Sequence, residues 1–396
     1  MQRLPMLLLL TAAAAIPAAD ALARVKLITL PVRERVEVRL DHPTATLVEE
    51  ERVVPLLEGR NKVDFSWKNV AVDEGTIVFR VLGPADGRGE MRVNVISVTY
   101  PPNENALVWD VHASRAGSAT VRISYLLGGL TNAFAYRAVA GPDEQTLTLQ
   151  QHLRVKNFAA EAYADTTVFA GFGENFSRPI GSNETRQMLA AEHENVPVVK
   201  AYTVDSNAVG YLDRADDKLR TAMHYVLENT QPQGLGREAL PPGKVRIFQQ
   251  DRRGTSAFLG EDVGGFTPVG DEMRLYVGVA RDVVVRRTID ERRVARKGAN
   301  LHDVHVVIKY EIENFKDGEI PLDFVENVNE IRRETGISRN LPPAWKLGPE
   351  TTFEGNPDPE RSSMNRVVLR SDLPARDGDR ADKITHKLHL VFEDQW

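Results

Sequence analysis

The chain has 396 residues, 50 basic and 56 acidic side chains, a net charge of −6 and no cysteine. That balance excludes bulk nucleic-acid binding, and the missing cysteine excludes both thiol catalysis and a disulfide framework. With 42% hydrophobic and 27% charged residues the composition is that of a globular protein.

Residues 1–23 read as a secretory signal. Arg3 supplies a positive start, Met6 to Ile16 an apolar run, and Ala21-Leu22-Ala23 a small-x-small cleavage pattern. The apolar run falls short of the roughly 20 residues that span a bilayer. An exported chain is expected, periplasmic or extracellular, with no transmembrane segment once the signal is removed.

Beyond residue 23, period two dominates. "TIVFRVLG" and "MRVNVISVTY" are expected strands, and a Pro-rich connection, "TYPPNENALVWD", follows at 99–110. In "ATVRISYL", Val121, Ile123 and Tyr125 share one face and Thr120, Arg122 and Ser124 the other. The alternation stops at Gly128-Gly129, where glycine permits a sharp strand break. No helical pattern follows to build a phosphate-cradling loop, so the break is expected to serve the fold. "NTQPQGLGREALPPGK" (229–244) reads as a linker or long loop.

The strands "KVRIFQQ", "EMRLYVGV", "RDVVVRRTI", "HDVHVVIKYEIEN", "NRVVLRS" and "DKITHKLHLVFED" complete the series. Arg253-Gly254-Thr255 and Lys316-Asp317-Gly318-Glu319 are expected hairpin turns, the second because Asp-Gly accepts positive φ. "VENVNEIRRETG" suits one short helix, and residues 337–363 are too long and polar for a hairpin. The pattern predicts an all-β protein with two or three serial antiparallel β-sandwich (Ig-like) domains. Its expected divisions are 24–135, 136–235 and 236–396. A weak internal echo, "LRVKNFAAEAY" against "YEIENFKDGEI", shares an Asn-Phe step at a strand end and supports repeated sandwiches.

"LVWDVHASRAGSATVRISYLLGGLTNAFAYRAV" and "LTLQQHLRVKNFAAEAYADTTVFAG" resemble a family of exported bacterial proteins. It is the domain-of-unknown-function family 4139, which includes the mucoidy inhibitor A-like proteins. Ser124-Tyr125-Leu126, Gly128-Gly129-Leu130 and Tyr136 carry the likeness, which extends over roughly residues 105–396. Many relatives have Trp and an acidic residue where this chain has Asn132, Ala133, Phe134 and Ala135, so no role of that Trp carries over. The resemblance implies an envelope location and no defined activity.

Catalytic signatures are weak. His302/His305 and His386/His389 have ligand-like spacing, but a step of three along a strand sends the two rings to opposite faces. They are expected to be ordinary core or surface histidines. Gly254-Thr255-Ser256-Ala257-Phe258 lacks the second glycine of a nucleophile elbow, and Gly171-Phe172-Gly173-Glu174-Asn175-Phe176 lacks the third of a dinucleotide loop. Acid pairs such as Glu192/Glu194 and Asp216/Asp217 show no spatial relationship in sequence. No catalytic, cofactor-binding or metal residue is assigned.

Arg286, Arg287, Arg292 and Arg293 form a basic cluster that could meet an anionic partner through guanidinium forks; the alternative is a charged strand face with local ion pairs. The sequence favours a non-catalytic cell-envelope protein acting through protein or polysaccharide contacts. The alternative is an envelope hydrolase or metal-binding enzyme with a site assembled from distant loops.

Overall fold

The computed structural model describes residues 26–395 apart from 43–44, 68–69, 160, 164–165, 173–174, 208–217, 299 and 339–343. The expected signal at 1–23 lies outside the described residues.

Strands dominate throughout. In chain order they are β1 (Lys26–Thr29), β2 (Arg35–Arg39), β3 (Thr46–Leu56), β4 (Gly59–Ser66), β5 (Val78–Pro84), β6 (Val93–Thr99), β7 (Ala106–Ala113) and β8 (Gly117–Leu127). Next come β9 (Leu130–Ala140), β10 (Thr146–Asn157), β11 (Thr166–Phe169), β12 (Phe176–Ser177), β13 (Thr185–Pro197), β14 (Val199–Asp205), β15 (Lys218–Leu219) and β16 (Thr221–Glu228). The rest are β17 (Gly243–Gln250), β18 (Ser256–Gly264), β19 (Glu272–Val279), β20 (Val283–Arg296), β21 (His302–Asn314) and β22 (Ile320–Asn327). The helix α1 (Val328–Glu334) precedes β23 (Trp345–Leu347), β24 (Arg366–Leu373) and β25 (Lys383–Gln395). The protein is all-β, as the period-two pattern predicts, and α1 lies inside the one segment that suited a helix.

The chain forms two compact units that are not contiguous in sequence. The first ends at Thr131 and recovers Asn157–Phe169 and Asn175–Glu184; the second holds Asn132–Lys156, residues 170–174 and everything from Thr185 onward. The sequence pattern predicts serial antiparallel sandwiches, and most strand pairs are antiparallel; in addition β1–β4, β2–β11, β9–β17 and β14–β22 pair in parallel. Each parallel pair needs a long excursion between its partners, so strands distant in sequence share a sheet.

The first unit is a sandwich of sheets β1-β4-β7-β6 and β12-β11-β2-β3-β8-β5. Alternation turns Val63, Phe65, Leu107, Trp109 and Val111 inward from one sheet and Val48, Val121, Ile123 and Tyr125 from the other. Aromatic rings bridge the layers: Phe65 lies 5.7 Å from Tyr125, and Phe79 lies 4.8 Å from Trp109. Gly128-Gly129 carries the chain from β8, paired with β3 and β5, to β9, which pairs in another sheet. Gly129 has φ +90°, its carbonyl accepts from the Phe158 amide at 2.7 Å, and a Cβ there would meet the Ala159 nitrogen at 3.2 Å. Positive φ and close backbone approach both require glycine here.

The second unit has three sheets: β13-β10-β9-β17-β18, β19-β16-β14-β22-β24 and β15-β20-β21-β25-β23. The last two share a core in which Tyr202, Val204, Leu322, Phe324, Val367 and Leu369 join Val306, Ile308, Tyr310, Leu388, Leu390 and Phe392. The Asp317-Gly318 turn is a correction to the expected hairpin. β21 pairs with β20 and β25, whereas β22 pairs with β14 and β24, so this turn crosses between sheets. The reason lies in Asn314. Its Oδ1 accepts from the Lys316 amide at 3.1 Å, and its Nδ2 donates to the carbonyls of Gly318 at 3.2 Å and Pro374 at 2.8 Å. The side chain thus bends the backbone out of its own sheet.

Asn157, its counterpart in the internal echo, does the same in the first unit. It accepts from the Ala159 amide at 2.9 Å and donates to Glu161 at 2.8 Å and Gly181 at 3.0 Å. Both asparagines use the amide two residues on and the carbonyl four residues on. The echo is therefore a repeated corner.

Candidate interaction surface

In the sheet β13-β10-β9-β17-β18, period two separates a buried face from an outward one. Phe134, Tyr136 and Ala138 of β9, Leu147, Leu149 and Leu153 of β10, and Val245 and Ile247 of β17 are buried. The intervening residues form the other face. Register aligns Arg137 with Arg246 and Val139 with Phe248 across β9 and β17. Across β17 and β18 it aligns Phe248 with Phe258, Arg246 with Glu261 and Lys244 with Val263. Across β10 and β13 it aligns Gln150 with Glu192, His152 with Leu189 and Arg154 with Gln187.

The chemistry of this face is aromatic and cationic. The Phe248 and Phe258 rings meet at 5.5 Å and 62°, with Phe258 59% exposed. The Arg137 guanidinium lies 5.0 Å from the Phe248 ring centre, in cation–π range. No carboxylate lies within ion-pair distance of Arg137 among the described residues. Gln150 donates to Glu192 at 2.7 Å and Arg154 to Gln187 at 3.3 Å, while Arg246 meets Glu261 at 3.1 Å. Among the residues in register on this face, Arg137, Arg154, Lys156, Lys244 and Arg246 outnumber Glu192 and Glu261, in a chain whose net charge is −6. Partial burial, and then the Arg137 charge, hold His152 below its ordinary pKa against the opposing pull of Glu192, so it stays neutral near pH 7.

The arginine cluster singled out by sequence is divided. A bulge at Asp290 shifts the register of β20 against β21. Arg287 falls opposite Tyr310 and Arg292 opposite Val306, both on the core side; Arg286 falls opposite Glu311 and Arg293 opposite His305, on the other side. Arg287 meets Glu326 at 2.7 Å and Glu334 at 3.0 Å, and Arg292 donates to the Thr335 carbonyl at 2.7 Å. These two cations therefore hold the C-terminal end of α1, where the helix dipole and its last carbonyls favour positive charge. Arg286 lies 3.4 Å from Glu313, and Arg293 pairs with Glu291 and Glu350.

The histidines obey strand parity. His386 points into the core, 2.8 Å from the Ser371 hydroxyl and stacked on Phe353. His305 and His389 lie on the opposite face. Among the described residues no group of three or more His, Asp or Glu side chains is placed to hold a metal ion. Gly254 sits in the β17–β18 hairpin with φ +84°, its neighbours Arg253 and Thr255 both donating to Asp251 at 2.8 Å. Phe172 packs edge-on against Phe134 at 5.6 Å, while residues 173–174 and the Asp216/Asp217 pair lie outside the described residues. No helix among the described residues is long and apolar enough to cross a membrane.

Sequence reasoning missed Arg137, Arg154, Phe248 and Phe258 because they are scattered over four strands. Alternation assigns each to a face of its own strand, but only strand order makes those faces one surface. No family model matches the chain, and no curated protein matches it.

Proposed function

We propose that this is an exported, non-catalytic protein of the bacterial cell envelope that holds an anionic polysaccharide on the outward face of the sheet β13-β10-β9-β17-β18. The observation that carries the reading is the exposed Phe258 packed edge-on against half-buried Phe248 beside Arg137, a cation with no carboxylate partner among the described residues. An exposed aromatic on a polar sheet face offers a stacking surface for the apolar side of a sugar ring. Planar guanidinium groups match carboxylates in two-bond geometry. Five strands at about 4.8 Å spacing make a face roughly 19 Å wide, which suits a polymer better than a single small anion. The signal read in residues 1–23 and the resemblance to an exported family support the location.

Affinity electrophoresis tests this. The mature protein is run in native gels containing polygalacturonate or neutral dextran. Retardation by the polyuronate alone, weakened by salt and at least fivefold weaker in Arg137→Glu/Phe258→Ala, is expected. Unchanged mobility in polyuronate at low ionic strength would remove the reading.

A further inference from the structure

Strands that end a sheet expose unpaired backbone groups, and proteins protect them with charge, proline, bulges or short length. Charge or short length covers every described edge strand but one, β6, which has only a bulge. β1 and β12 are short, β5 carries Arg80 and Pro84, and the free stretch of β20 carries Asp290, Glu291, Arg292, Arg293 and Arg296. Among the described strands that end a sheet, only β6, "VNVISVT", exceeds two residues and carries no charge. It pairs with β7 on one side, and Val95, Ile96 and Val98 are 41%, 54% and 40% exposed.

We infer that β6 is the interface with a second copy of this chain, the two β6 strands pairing antiparallel about a two-fold axis between Val95 and Ile96. Register carries the choice of partner. β6 sets Val93, Val95 and Val98 opposite Ala113, Val111 and Trp109 on the core side of the sheet, and Asn94 and Ser97 opposite His112 and Asp110 on the outer side. Ile96 is the extra residue of a bulge between Val95 and Ser97. With the axis after Val95, Val93 faces Val98, Asn94 faces Ser97, and Val95 faces Ile96. Core side meets core side, and polar meets polar. Placing the axis on Ile96 instead would oppose Val95 to Ser97 and Asn94 to Val98, so one register is favoured over its neighbour. An uncharged strand sets no like charges against each other, and an isologous contact needs only one self-complementary surface. Pro101 and Pro102 end the run on one side, since proline cannot donate to a ladder. Two four-stranded sheets then become one continuous sheet.

The absence of cysteine makes the test direct. Light scattering of the purified mature chain at micromolar concentration should give the dimer mass. Ile96→Lys should give the monomer, while Val294→Lys on the charged β20 edge should remain dimeric. On mild oxidation Val95→Cys, beside the axis, should form a covalent dimer and Thr99→Cys should not; this comparison stands even where the lysine variant fails to fold. A monomer at every concentration, a dimer that survives Ile96→Lys, or equal cross-linking of Val95→Cys and Thr99→Cys would overturn the inference.

Discussion

His389 and His305, from neighbouring strands, share a hydrogen bond of 3.0 Å between Nε2 of the first and Nδ1 of the second. The Glu350 amide points at His389 Nδ1 from 3.3 Å, so the His389 proton sits on Nε2, which donates to His305. The His389 side chain is fully buried. Burial lowers its pKa below the ordinary 6.5, the Glu350 carboxylate pulls it back up, and His305 and Arg293 lower it further.

The sign of the pH dependence follows. Below the unfolded-state value the unfolded chain takes up a proton that the folded chain resists, so stability falls as pH drops through that range. Above it both states are neutral and this histidine contributes no slope. Between about pH 7 and 5 the Tm of the wild type should therefore fall more steeply with decreasing pH than that of His389→Gln. Parallel pH profiles for the two proteins would contradict the assignment.

Gly348 is the floor of the same pocket. A Cβ there would run into the His389 ring, which has no room to retreat. Gly348→Ala should cost about 1–3 kcal/mol, the usual penalty of overpacking. Equilibrium unfolding in urea reads it, and the double variant Gly348→Ala/His389→Ala should recover part of the loss.

Arg287 presents a second buried constellation. Its burial opposes the charged form, yet Glu326, Tyr310 and Glu334 outweigh that cost and hold its pKa above the ordinary value. Tyr310 donates its hydroxyl to Glu326, whose side chain is 2% exposed. Arg287→Ala would strand Glu326 without its counter-charge and should cost about 3–5 kcal/mol. Arg287→Ala/Glu326→Ala should be less damaging than the sum of the two single changes. Additive losses in denaturant titrations would mean that the pair is not coupled.

Asn157 and Asn314 are each inaccessible to solvent or nearly so, at 0% and 2%. Replacing either with Ala leaves buried backbone groups without partners and should cost at least about 2 kcal/mol. The two losses should appear in different units, because Asn157 belongs to the first and Asn314 to the second. Trp67 and Trp109 report on the first unit and Trp345 on the second, so single-tryptophan variants followed by fluorescence separate the transitions.

Much of the architecture was legible in residue order. Alternation in "ATVRISYL" and "HDVHVVIKYEIEN" determined which side chains face a core, because successive Cβ atoms point to opposite sides of a strand. The break at Gly128-Gly129 was legible because only glycine tolerates its geometry. The Asp317-Gly318 turn misled, since turn chemistry reports that the chain reverses and not whether the flanking strands then pair.

The sequence by itself determined that His305 and His389 each lie on the non-core face of a strand. Only tertiary structure decided that β21 and β25 are neighbours, in a register that sets His389 opposite Val307 and His305 opposite Val391. The same holds for Arg137, Phe248 and Phe258. Parity is a local property of the backbone and is written in the order of residues. Which strands become neighbours depends on the total burial of faces far apart in the chain, and no local stretch records that sum.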